Sequence, residues 1–151
     1  MILVFLKRLN PDTRDRIIDR LSHVCGIELL PRWDERAMLS WDEVREMSTN
    51  GISFGAHTVN HPVLADISLE EARREILESK KTIENKIQKT VKTFAYPYGK
   101  DKDYSVDVTK IVEELGFDYA CSTIRGYEQF PMKNYFNLKR RGVPIAPHLF
   151  L

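Results

Sequence analysis

Two histidines, His57 and His61, stand four residues apart beside the hydroxyl of Thr58. If residues 58–61 turn helically, both imidazoles fall on one side of a turn. Two imidazoles at that separation can bind one divalent metal, although a metal site normally has at least three protein ligands. The plain alternative is a pair of exposed loop histidines. The stretch before them, Ile52 to Ala56, alternates apolar and small polar residues with the period of a strand. Pro62 then stops any regular element, because it lacks a backbone N–H and restricts the residue before it. A strand end opening into two metal-ligating side chains is where barrel enzymes place their chemistry.

The elements that must position this pair can be read around it. Asn10-Pro11 opens a helix, with Ile17, Ile18, Leu21 and Val24 as its apolar face and Gly26 as its stop. Residues 2–6 read equally as a buried strand or a helix start. The connection from Ile27 to Arg36 contains Pro31 and a packing residue, Trp33. Ser40 with Glu43 and Ser68 with Glu71 are capping boxes: one helix runs from Ser40 to Met47, and the longest begins at Ser68. Leu69, Ala72, Ile76, Ile83 and Ile87 make an inward stripe on the longer helix. The charges between them, Glu75 and Glu84 included, read as a solvated face.

Val91 to Tyr96 reads as a second strand, running into the turn Pro97-Tyr98-Gly99. Ser105 caps a further helix with Val108, Ile111, Val112 and Leu115 inward. Phe117 to Thr123 is a third strand, Gly126 to Asn134 a loop, and Tyr135 to Val143 holds a last strand before Pro144 and Pro147. Strands alternating with helical lengths call for an α/β fold with a parallel sheet. Both candidate site segments, 57–61 and 97–99, then lie on the same rim.

Composition sets bounds. The chain has 151 residues, 30% charged and 42% hydrophobic, with a net charge of +1. One domain with a real core is expected. Interspersed charges give no sign of a nucleic-acid surface. Cys25 and Cys121 are far apart, without a CxxC partner, and read as buried free thiols. No run is long enough to span a membrane, and no signal peptide is visible: Lys7-Arg8 follows the short apolar start instead of preceding it.

Gly55-Ala56-His57-Thr58-Val59-Asn60-His61-Pro62 resembles the metal-ligand motif of the polysaccharide deacetylases (the nodulation-factor deacetylase homology domain). Phe94-Ala95-Tyr96-Pro97-Tyr98-Gly99 resembles the groove motif of the same family. Met38-Leu39-Ser40-Trp41 and Glu113-Glu114-Leu115-Gly116-Phe117 match its usual layout, so the resemblance runs from about Leu21 to Val143. It implies a deformed (β/α) barrel and metal-dependent removal of acetyl groups from N-acetylated, less often O-acetylated, sugars. His57 and His61 would be metal ligands, with zinc the first choice. The Tyr98 backbone N–H would serve as oxyanion donor, and Pro97, Tyr98 and Gly99 would line the substrate groove. Arg140 resembles the arginine of a late strand in a variant subgroup. Thr58 either steadies the ligand loop, as a hydroxyl often does in the family, or makes only a local hydrogen bond. The resemblance implies a carbohydrate substrate and a secreted or cell-envelope location.

Three departures stand out. The family's Asp-Asp motif, which holds the third metal ligand and the catalytic base, has no counterpart here and would fall before Met1. Ala95 replaces an arginine found in some members. The late Leu-x-His-Asp motif is missing, and His148 reads as a tail residue. Residues 1–151 are therefore expected to form a single partial deacetylase domain, an incomplete barrel without its first strand and inactive alone. Asp66, Asp101 and Asp103 are the nearest substitutes for the missing ligand, but cap or turn roles suit them better. A non-catalytic carbohydrate- or partner-binding remnant is the alternative function. A metal hydrolase of another substrate class is a weaker one.

Overall fold

The computed structural model describes residues 5–27 and 38–142. Pro31, Trp33, Val143, Pro144, Pro147, His148 and residues 2–4 lie outside the described residues. Besides helical residues 5–6 and a short 3-10 turn (Leu64–Asp66), the elements are α1 (Pro11–Val24), α2 (Trp41–Thr49), α3 (Leu69–Ile87), β1 (Thr93–Ala95), α4 (Val106–Glu114), β2 (Tyr119–Arg125) and β3 (Leu138–Arg140). The strands are parallel in the order β1-β2-β3. Ala56 joins β1 through one parallel bridge to Phe94. None of the described helices is long and apolar enough to cross a membrane.

Side chains start the helices where the sequence places caps. Ser40 and Glu43 form the reciprocal box at α2. At α3, Ser68 accepts from the Glu71 N–H, but the Glu71 carboxylate turns to Arg74, 3.9 Å away. Asn10 caps α1 and Ser105 caps α4. The apolar faces of α3 and α4 cover the sheet. Ala72, Ile76, Val108, Ile111 and Val112 pack with Phe94, Tyr96, Phe117 and Ala120 in one core.

Several expectations change on packing grounds. Residues 52–56 supply only the Ala56 bridge, not a full strand. Leu69, in the first turn of α3, is 49% exposed because the core begins one turn later at Ala72. None of the α1 residues is buried, and Val24 is 75% exposed, so the apolar face of this helix is not part of the core. Cys25, just past that helix, is exposed, and Cys121 is half-buried. Phe5 and Leu6 are helical, and the rest of the short apolar start lies outside the described residues. The α3 charges do not form a uniformly solvated face either: Glu75 and Lys80 are buried. Lys80 donates to the Leu115 and Gly116 carbonyls, which α4 leaves open at its C-terminus.

Between β2 and β3 the register slips, with Cys121 opposite Leu138 but Arg125 opposite Arg140. Side chains fill the irregularity. Ser122 Oγ donates to the Leu138 carbonyl, and Arg140 Nε donates to the Ser122 carbonyl at 2.7 Å. The parallel connection between these strands is a loop without a helix.

Candidate active site

The histidine loop leaves the sheet at Ala56. Ala56 N–H donates to the Thr93 carbonyl at 2.9 Å, and Ala95 N–H returns a bond to the Ala56 carbonyl at 3.0 Å. This close approach requires Gly55: a Cβ there would lie 2.4 Å from Thr93 Oγ1 and 3.1 Å from the Thr93 carbonyl oxygen. The next residue, His57, is thereby fixed beside β1. Its Nδ1 lies 2.7 Å from the Ala95 carbonyl, so Nδ1–H donates there and Nε2 keeps its lone pair. A metal-binding histidine is usually oriented by this kind of bond.

His61 reaches the same place by a route different from a helical turn. Thr58 and His61 both have positive φ, 65° and 54°, a costly backbone for side-chain-bearing residues. The His61 N–H donates to Thr58 Oγ1 at 3.1 Å, so Thr58 makes the local loop bond. The His57 and His61 ring centroids are 4.8 Å apart, edge to face. Partial burial lowers the His61 pKa, and the neighbouring His57 and Arg14 lower it further; its own backbone bond opposes them. His61 is thus held neutral at neutral pH, the form that can ligate a metal.

The strained loop is held by Glu75, which the sequence reading had assigned to solvent. Its carboxylate accepts from the Val59 N–H at 2.9 Å, the Asn60 N–H at 2.8 Å and the Asn60 side-chain amide at 2.7 Å. The available signal was its place on α3: Glu75 lies three residues after Ala72 and four before Ser79, on the inward face. A carboxylate there must meet donors.

The second motif closes the other side. Tyr98 stands in the turn after β1 with φ 58°, and its ring meets the His61 ring at 4.7 Å. Gly99 follows with φ 66°. A Cβ on Gly99 would fall 2.9 Å from the Thr123 nitrogen, so the turn lies flat against β2. Thr123 donates its N–H to the Gly99 carbonyl and its hydroxyl to the Tyr98 carbonyl. The Tyr98 N–H has no partner among the described residues. Pro97 and Gly99 are buried beneath this surface.

Cations from the N-terminal region also reach the site, which the sequence did not suggest. Lys7 Nζ lies 4.5 Å from the Tyr98 ring centre, and Arg14 lies 3.4 Å from the Asn60 carbonyl. The candidate carboxylates do not join the histidines. Asp66 is engaged by Arg8 at 2.6 and 2.9 Å. Asp103 is fully buried, its Oδ2 accepting from the Lys100 N–H in the same turn. Asp101 is exposed on that turn. Among the described residues no three His, Cys, Asp or Glu side chains gather as a metal site. Arg140 ends β3, on the same rim, with its guanidinium tied to Ser122.

The polysaccharide deacetylase family model matches residues 21–120. YxkH of Bacillus subtilis (strain 168), named for the same family, is 27% identical over 88 residues, covering 58% of this chain and 30% of that protein. In structure the chain is similar to the Streptococcus pyogenes deacetylase PplD in complex with acetate: TM-score 0.63, 27% identity, 70% of this chain and 45% of that one. It is similar also to BC0361, a polysaccharide deacetylase from Bacillus cereus: TM-score 0.60, 26% identity, 71% and 33%. The chain thus spans less than half the length of these relatives. Its parallel sheet and covering helices correspond to part of their (β/α) barrel. With both motifs on one rim and the family model matched across them, this chain belongs to the polysaccharide deacetylase family.

Proposed function

We propose that this chain carries the histidine side of a metal-dependent carbohydrate deacetylase site, with His57 and His61 as two ligands of a divalent metal, zinc by donor type. The observation that carries this reading is the bond from His57 Nδ1 to the Ala95 carbonyl, which leaves Nε2 available beside a neutral His61. A divalent ion bound there would supply a polarised acetyl carbonyl and a more acidic water. The residues present fit that ion in part. Two imidazoles suit it, but they bring no negative charge, and Lys7 and Arg14 oppose a cation. A carboxylate pair from an Asp-Asp segment preceding the described residues would supply the third ligand, the counter-charge and the base.

The chain's own residues have defined tasks in this reading. The Tyr98 N–H donates to the acetyl oxygen as it becomes anionic, and being fixed by the turn it needs no reorganisation. Tyr98 gives the surface against which the N-acetyl sugar lies, with buried Pro97 and Gly99 setting the turn beneath it. Lys7 and Arg14 favour the oxyanion over the neutral carbonyl. Arg140, held at the end of β3, orients groups across the rim. The products are acetate and a free amine on the sugar.

The test is acetate release from N-acetylglucosamine oligomers by the protein extended to include an Asp-Asp segment. Release that is lost in His57→Ala and His61→Ala is expected, as is none from residues 1–151 alone. Release indifferent to both substitutions overturns the reading. The cations at the site, Lys7 and Arg14, favour one rival, a carbohydrate-binding remnant. That rival predicts oligomer binding without release even in the extended protein.

A further inference from the structure

We propose that the cleft between the ends of β2 and β3 is an anion subsite, which selects acetylated carbohydrate carrying carboxylate or phosphate groups. The cleft has a volume of about 350 Å³ and is lined by Arg125, Gly126, Tyr127, Arg141 and Gly142. Arg125 ends β2 and Gly126 follows it, and Arg141 and Gly142 follow β3. In a parallel sheet these positions share the rim on which Tyr98 follows β1. Two strand spacings, about 10 Å, separate β1 from β3. One oligosaccharide can therefore cover the Tyr98 turn and the cleft together.

Charge is concentrated at this place. Residues 125–142 hold five basic side chains, Arg125, Lys133, Lys139, Arg140 and Arg141, against one acidic one, Glu128. Charges that look interspersed over the whole chain are not so here. Glu128 is occupied, accepting from the Lys139 N–H at 2.8 Å. Elsewhere several exposed cations pair with carboxylates: Arg8 with Asp66, Arg73 with Glu114, Lys92 with Asp118. Neither Arg125 nor Arg141 has a carboxylate partner among the described residues.

The cleft is also partly organised. The Arg141 guanidinium lies 5.0 Å from the centre of the Tyr127 ring, an attraction that restrains a flexible side chain. A planar guanidinium fixed in this way matches the two oxygens of a carboxylate or phosphate. Tyr127, 69% exposed, offers an apolar face beside the charges on which a sugar ring can lie. The small basic excess of the whole chain, +1, argues against a nucleic-acid polymer as occupant.

This inference rests on the deacetylase reading only for the carbohydrate, and its test separates the two. Calorimetry at low salt would compare the neutral N-acetylglucosamine tetramer, a hyaluronan tetrasaccharide and a 6-O-phosphorylated N-acetylglucosamine tetramer. The expected result is about tenfold tighter binding of both anionic oligomers than of the neutral one. That preference should disappear in Arg125→Gln and Arg141→Gln, persist in Lys110→Gln, and weaken as salt rises. A preference for only one of the two anionic oligomers would assign the site to carboxylate or to phosphate. Equal affinity for neutral and anionic oligomers overturns the subsite. So does a preference that survives both arginine substitutions, or tighter binding of a single-stranded oligothymidylate. Acetate release lost in His57→Ala, together with equal affinities, would leave the deacetylase reading standing and remove this one.

Discussion

Glu75 and Asn60 are joined by two hydrogen bonds, 2.8 Å to the Asn60 backbone N–H and 2.7 Å to its side-chain amide. A carboxylate on a core helix thus holds the loop between the two histidines by backbone and side chain at once. The loop needs such an anchor, because two of its residues keep positive φ. Glu75→Ala removes the acceptor and leaves three part-buried hydrogen bonds to the loop unmade. Its expected cost is roughly 3 kcal/mol in urea unfolding, with faster hydrogen exchange at Val59 and Asn60. Unchanged exchange at those two amides would show that the loop keeps its shape without the carboxylate.

Lys80 connects α3 to the end of α4, donating to the Leu115 carbonyl at 2.8 Å and lying 4.5 Å from the centre of the Phe117 ring. Lys80→Met keeps the stem but removes both interactions. The predicted loss is about 1–2 kcal/mol of stability. A thermal midpoint equal to that of the wild type would contradict this.

Gly99 lets the Tyr98 turn lie against β2. Gly99→Ala places a methyl 2.9 Å from the Thr123 nitrogen and 3.1 Å from the Tyr96 carbonyl, both backbone atoms that cannot swing away. A destabilisation of about 2 kcal/mol is expected, with chemical-shift changes concentrated at residues 96–99 and 123. Shift changes spread evenly over the chain would count against a local clash.

Tyr96 makes stability depend on alkaline pH. Burial pushes its pKa up to about 12, and Tyr104 and Cys121 push in the same direction. Its hydroxyl donates to the Phe136 carbonyl at 2.9 Å. Between pH 10 and 12 the unfolded chain loses this proton while the folded chain keeps it. The contribution is therefore complete below about pH 10 and is lost as pH rises towards 12, by roughly 2 kcal/mol in all. Tyr96→Phe should cost about 1 kcal/mol at pH 8 and make the alkaline decline shallower. Tyr98 and Tyr104, also raised by burial, keep some slope. An identical slope in wild type and Tyr96→Phe would refute the assignment.

Local rules carried the sequence reading where one residue type answers one local need. Ser40, Ser68 and Ser105 cap their helices because orphan N–H groups require an acceptor at that place. The rim shared by His57, His61 and Tyr98 follows from strand order and parallel pairing. Tertiary partners were not legible. Nothing local shows that Glu75 meets the Asn60 loop, or that Lys7 and Arg14 approach Tyr98 and His61. The apolar spacing of Ile17, Ile18, Leu21 and Val24 reports a helix, but it does not report whether a partner covers that helix. Asp103 is of a residue type common in turns, yet it is fully buried, and the Ala65 N–H donates to its backbone carbonyl.

The central claim is that His57 and His61 act together on one metal ion. Its most direct test follows the histidine ring resonances of the chain by NMR as zinc is added, with exposed His23 as internal reference. The account predicts that His57 and His61 shift together and before His23, and that His57→Ala abolishes the response of His61. Independent responses of the two rings, or shifts no larger than that of His23, would contradict it.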